Sequence, residues 1–111
     1  MSQSTPPRIW VSNLKPKQGE VLRVRAQISH LMETGLRLDE QGKIRPRNIL
    51  TRFEARLGDA LLFAWEPGSA MARNPYIEFT FLARESGELI FIWTGDEDFR
   101  LEARRSITVS P

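Results

Sequence analysis

A chain of 111 residues, 41% hydrophobic and 27% charged, allows a single domain with an ordinary core. It has no cysteine, which excludes disulfides, thiolate catalysis and thiolate metal or cluster sites, and its single histidine, His30, excludes any centre built from two imidazoles. Lys and Arg total 16 against 14 Asp and Glu, and the resulting +2 is too small to argue nucleic-acid or membrane binding from net charge.

The first eight residues, Met1 to Arg8, lack an apolar signal core and read as a loose tail ahead of one domain over 9–111. No apolar run approaches the roughly 20 residues that a membrane helix needs. These features lead us to expect a soluble chain that is intracellular or exported alongside another protein. A short first strand is expected at Ile9-Trp10-Val11. Leu22, Val24, Ala26 and Ile28 then alternate with Arg23, Arg25, Gln27 and Ser29, giving a strand with one apolar and one wet face.

Thr51, Phe53, Ala55 and Leu57 alternate in the same way with Leu50, Arg52, Glu54 and Arg56. Gly58-Asp59 offers a two-residue turn into Ala60 to Trp65, so residues 49–65 read as a hairpin. Ile77, Phe79, Phe81 and Ala83 form a further alternating set. The continuous run Leu89 to Trp93 has the length of a strand buried on both faces. After the turn Gly95-Asp96-Glu97-Asp98, Phe99, Leu101 and Ala103 alternate with Arg100, Glu102 and Arg104. Ile107 and Val109 continue that alternation past an expected bulge or break at Arg105-Ser106. About seven strands separated by turns, with no helix, repeat or low-complexity segment apparent, predict an all-β, immunoglobulin-like antiparallel β-sandwich.

Residues 30–48 interrupt this rhythm, being too long for a hairpin loop. Leu31, Met32, Leu36, Leu38 and Ile44 make the segment too apolar for plain disorder, and Gly35, Gly42 and Pro46 supply bends. It reads as an excursion whose apolar side chains cover a surface, one that another chain could provide.

Candidate chemistry is sparse. Ser29 and His30 would point to opposite faces of a strand, which defeats a nucleophile–base dyad. His30 with Glu33 has metal-ligand spacing only on a helix, and the pattern here is not helical. Asp96-Glu97-Asp98 lacks the later ligands of a calcium loop, with Arg100 at the fifth position, and reads as a solvated turn. Residues 43–56 carry Lys43, Arg45, Arg47, Arg52 and Arg56 against Glu54, a local +4, and residues 85–102 carry a local −5. The basic stretch reads as a solvated or partner-facing surface, because no aromatic residues interleave with it as a base-stacking platform requires. Tyr76, after Asn74-Pro75, and Trp65, before Pro67-Gly68, punctuate strand ends, where an aromatic also serves well as an interface anchor.

Two stretches together resemble the SoxZ family, the Z subunit of the sulfur-oxidation (Sox) carrier complex. They are Ile28-Ser29-His30-Leu31-Met32-Glu33-Thr34-Gly35-Leu36-Arg37-Leu38-Asp39 with Gly42-Lys43, Pro46-Arg47-Asn48-Ile49 and Phe53, and Asn74-Pro75-Tyr76-Ile77-Glu78-Phe79 with Gly87, Phe91 and Trp93. The chain departs from the family pattern at Arg45, at Ala72 and in the turn Gly95 to Asp98.

The resemblance implies an immunoglobulin-like sandwich that pairs, as a heterodimer or larger assembly, with a SoxY-like subunit. That subunit's C-terminal Gly-Gly-Cys-Gly-Gly arm holds sulfur intermediates during thiosulfate oxidation, while other Sox enzymes make transient contacts. It further implies a periplasmic, non-catalytic protein without cofactor, nucleic-acid or membrane partner, co-exported with the subunit it pairs with. Lacking cysteine, this chain cannot bear the adduct itself. The expected partner surface comprises His30, Met32, Gly35, Leu36, Arg37, Pro46, Arg47, Asn74 and Tyr76. Two rival readings are a free-standing sandwich that binds an anionic polymer or a protein, and an enzyme that uses His30.

Overall fold

The computed structural model describes residues 7–28, 38, 40–43, 49–66, 76–96 and 98–111. Seven strands run in the order β1(Arg8–Val11), β2(Val21–Gln27), β3(Leu50–Leu57), β4(Ala60–Trp65), β5(Tyr76–Leu82), β6(Gly87–Gly95) and β7(Arg100–Ile107). They form two antiparallel sheets, β1-β2-β5 and β4-β3-β6-β7, and there is no helix among the described residues. This is the expected immunoglobulin-like sandwich, with the fourth strand on the sheet of β3, β6 and β7.

Alternation builds the core between the sheets. Leu22, Val24, Ala26, Ile77 and Phe79 are buried from one side, and Phe53, Ala55, Leu57, Leu89, Phe91 and Trp93 from the other. Aromatic rings join the two layers. The Phe53 ring lies 5.1 Å from Trp93 in its own sheet and 6.4 Å from Phe79 in the opposite one. Phe63 of β4 stacks on Phe79 of β5 at 4.9 Å, an arrangement that adds specific ring attraction to the buried area.

The Gly58-Asp59 hairpin forms as expected. Gly58 takes a φ of +57°, the left-handed conformation that glycine adopts without strain at the first position of such a turn. The β6–β7 turn is tied to the start of β3 by two bonds. The Ile49 N–H donates to the Asp96 carboxylate at 3.1 Å, and the Asp96 N–H donates to the Ile49 carbonyl at 3.0 Å. Asp96 therefore serves this turn as a structural cap.

Three details differ from the sequence reading. Leu50 is buried and Thr51 exposed, the reverse of simple alternation, because the β3–β6 register shifts between Leu50 and Arg52. The run Leu89 to Trp93 is buried on one face only: Ile90 and Ile92 are half-buried and face outward between charged neighbours. β7 passes unbroken through Arg105-Ser106, with Arg105 at an inward-facing position yet exposed, a charged residue of the kind that blunts an open sheet edge.

Candidate functional site

Of the residues expected at the partner surface, Tyr76 is described. His30, Met32, Gly35, Leu36, Arg37, Pro46, Arg47 and Asn74 lie outside the described residues, as do Ser29 and Glu33. Tyr76 opens β5, and its position identifies a face: the outer surface of the β1-β2-β5 sheet.

Register sets the layout of that surface. Arg8, Gln27 and Tyr76 form one row, and Trp10, Arg25 and Glu78 the next. Arg23 with Thr80, and Val21 with Leu82, form the two beyond. The inward-facing neighbours of these residues belong to the core, so period two directs this set to solvent. The Arg25 guanidinium lies over the Trp10 ring at 4.6 Å. Glu78 sits 3.5 Å from Arg23 and 3.8 Å from Arg25, and the Tyr76 hydroxyl donates to its carboxylate at 3.3 Å.

This face is apolar as well as charged. Trp10 is 45% exposed, Tyr76 51%, Val21 60% and Leu82 45%. Exposed large apolar side chains gathered on one surface mark an interaction site more reliably than the same residues scattered singly. Tryptophan, tyrosine and arginine are also the types that carry most binding energy at protein interfaces. Among the described residues of these rows, Arg8, Arg23 and Arg25 stand with one carboxylate, Glu78, an excess of positive charge that suits an acidic partner. The sequence reading missed Trp10. The available signal was its position, since an aromatic between the inward-facing Ile9 and Val11 has to point outward.

The outer surface of the other sheet has a different character. On β3, Glu54 lies between Arg52 and Arg56, with nitrogen–oxygen distances of 3.0 and 2.8 Å. On β7, Glu102 lies between Arg100 and Arg104, at 3.2 and 2.8 Å. Arg104 also reaches Glu88 at 2.6 Å. The Glu54 carboxyl is held below the usual carboxylate range, chiefly by the hydrogen bond from Arg52, and the Glu102 carboxyl likewise, chiefly by that from Arg104. The underlying sequence signal is a pattern, Arg-x-Glu-Ala-Arg, that occurs twice, as Arg52-Phe53-Glu54-Ala55-Arg56 and Arg100-Leu101-Glu102-Ala103-Arg104. It gains significance once β3 and β7 are seen to flank β6.

Among the described residues no cluster of His, Asp and Glu is arranged to hold a metal ion.

Comparison with known proteins agrees with this architecture. Among solved structures, superoxide reductase (neelaredoxin) from Ignicoccus hospitalis is similar at a TM-score of 0.70 and 18% identity, covering 96% of this chain and 82% of that one. The sulfur carrier protein SoxY from Chlorobium limicola f. thiosulfatophilum is similar at 0.66 and 12%, covering 97% and 82%. The CARDB domain of a Pyrococcus furiosus protein, in complex with di-metal ions, is similar at 0.57 and 12%, covering 94% of each chain. At such identities the likeness is one of fold. With one histidine and no cysteine, this chain also lacks the side chains for a multi-imidazole or thiolate centre. Comparison with the curated proteins gives no match. The family model of the sulphur oxidation protein SoxZ matches residues 11–105, from the last residue of β1 to the penultimate pair of β7. The chain belongs to the SoxZ family of sulphur oxidation proteins.

Proposed function

We propose that this protein is the non-catalytic Z subunit of a SoxYZ-type sulfur carrier, pairing in the periplasm with a SoxY-like subunit whose C-terminal cysteine holds the sulfur intermediates of thiosulfate oxidation. The observation that carries the reading is the SoxZ family match over 11–105. The composition supports the division of labour: a chain without cysteine cannot take the sulfur from its partner by thiol–disulfide exchange. The basic, aromatic outer surface of β1-β2-β5 supports the pairing, with Trp10, Arg25 and Tyr76 as its energetic centre.

Native mass spectrometry after co-expression with a SoxY-like chain tests this directly. The expected result is a complex of the two chains whose cysteine-bearing member loses a mass increment on reduction. Trp10→Ala with Arg25→Glu should weaken it by about tenfold or more, since truncating an interface centre typically costs 2 kcal/mol or more. Met32→Asp tests the 30–48 segment in the same assay. Unchanged affinity in the Trp10/Arg25 variant would remove the sheet face from the interface. A chain that stays alone after co-expression would overturn the carrier reading, and strong salt-dependent binding of that lone chain to DNA or a sulfated glycan would favour the polymer-binding alternative.

A further inference from the structure

The outer surface of the β4-β3-β6-β7 sheet carries charge in ordered rows. Register places Arg52, Thr94 and Arg100 side by side, then Glu54, Ile92 and Glu102, then Arg56, Ile90 and Arg104. Glu88 and Ser106 form the fourth row. From row to row the sign therefore runs plus, minus, plus, minus, the last from Glu88 of β6 alone, at a spacing of about 7 Å per row. The aliphatic stripe of Ile90 and Ile92 runs through the centre, with Leu61 and Ala64 of β4 beside it in the same two rows.

An alternating series of four has a particular property: read backwards it is its own charge complement. A twofold axis lying across the strands, between the Glu54 and Arg56 rows, superposes the surface on a second copy with rows of opposite sign opposed. Such an axis preserves position across the sheet, so β3 faces β3, β6 faces β6 and β7 faces β7, each antiparallel to its counterpart. Arg56 and Arg104 then face Glu54 and Glu102, Ile90 meets Ile92 on the axis, and Glu88 of β6 faces Thr94 with the opposing Arg52 and Arg100 one strand to either side. This is an isologous contact, in which one patch serves both partners. A single-sign basic patch would repel its own copy. Here the side chains of Arg100, Arg104 and Glu88 remain about half exposed, with donors and acceptors still turned to solvent.

We infer that two copies of this chain associate through this face, with the alternating Arg and Glu rows setting the register. The inference is independent of the carrier reading, because it needs no other subunit. The thirteen residues of these rows cover on the order of 400 Å² per copy, or about 850 Å² in total, in the size range of weak, transient contacts. The association is accordingly weak, reversible and salt-sensitive.

Sedimentation velocity of the full chain over a concentration series, at low and at high ionic strength, tests it. A monomer–dimer equilibrium at low salt that dissociates at high salt is expected, because screening shortens from about 10 Å at 0.1 M to about 3 Å at 1 M. Glu54→Arg sets like charges against the opposing Arg56 and should weaken the dimer by about tenfold or more. The double exchange Glu54→Arg with Arg56→Glu keeps the opposed rows complementary and should restore it, which separates loss of docking from loss of fold. A chain that is monomeric at every concentration at low salt would overturn the inference. So would a dimer indifferent to Glu54→Arg, or one that the double exchange fails to rescue.

Discussion

A methyl group on Gly95 would sit 2.6 Å from the Ile49 carbonyl oxygen and 3.3 Å from the Leu50 Cα, both of them backbone atoms. That carbonyl also accepts the hydrogen bond from Asp96, so it cannot retreat without breaking the tie between the β6–β7 turn and β3. Gly95→Ala should therefore destabilise the fold by about 1–3 kcal/mol, the usual cost of overpacking. Gly58→Ala meets open space and strains only its own left-handed φ, so it should cost less, nearer the 1 kcal/mol typical of left-handed L residues. Urea unfolding followed by far-UV circular dichroism measures both. Equal midpoints for Gly95→Ala and the parent would show that β3 can move away from the turn. At this scale the sequence was readable wherever parity alone decided burial, as for Leu22, Val24 and Ala26. It misled at Thr51, because the register shift that turns Leu50 inward depends on β6, more than 40 residues along the chain.

The charged triads of β3 and β7 act as elements, each a carboxylate held between two guanidinium groups on one face. Their folded-state carboxyl pKa values lie below the ordinary range, so folding favours the ionised form. That contribution is complete above the unfolded-state value of about 4.3 and is lost as pH falls through the depressed folded value. Resistance to urea should hold steady from neutral pH to about 5 and fall below about 4. In Glu54→Gln with Glu102→Gln the neutral-pH midpoint should drop and the acid slope flatten. An unchanged slope would assign the acid sensitivity to other carboxylates. The strands bearing these triads were legible one at a time, by period two. Their pairing was not, since nothing local in Arg52 to Arg56 reveals that Arg100 to Arg104 will stand two strands away in the same rows. For the same reason Ile90 and Ile92 read as core: a run of five apolar residues says nothing of which face the flanking strands leave open.

At the scale of the molecule, the two proposed contact surfaces lie on opposite sides of one sandwich, separated by the core and the thickness of both sheets. Occupying the aromatic, basic face of β1-β2-β5 leaves the row-patterned face of the other sheet accessible, so pairing with an acidic partner and self-association are geometrically compatible. The fold class was legible, because about seven short apolar-patterned segments without a helical period have few other ways to bury their apolar sides. Of the proposed partner face, Tyr76 was singled out by its place at a strand end and is exposed on β5; Trp10 was not singled out, since its row with Arg25 and Glu78 is set by register across β2 and β5.

The placement of the tryptophans has a practical consequence. Trp93 is completely enclosed in the core, Trp65 is half-buried at the end of β4, and Trp10 stands 45% exposed on the β1-β2-β5 face. The unlabelled protein therefore carries separate optical reporters of its interior and of one surface. Iodide should quench Trp10 emission while leaving that of Trp93 almost untouched, and a bound partner on that face should shield Trp10 from iodide without altering the enclosed component. If Trp10 stays equally quenchable in the complex, the partner sits elsewhere on the molecule.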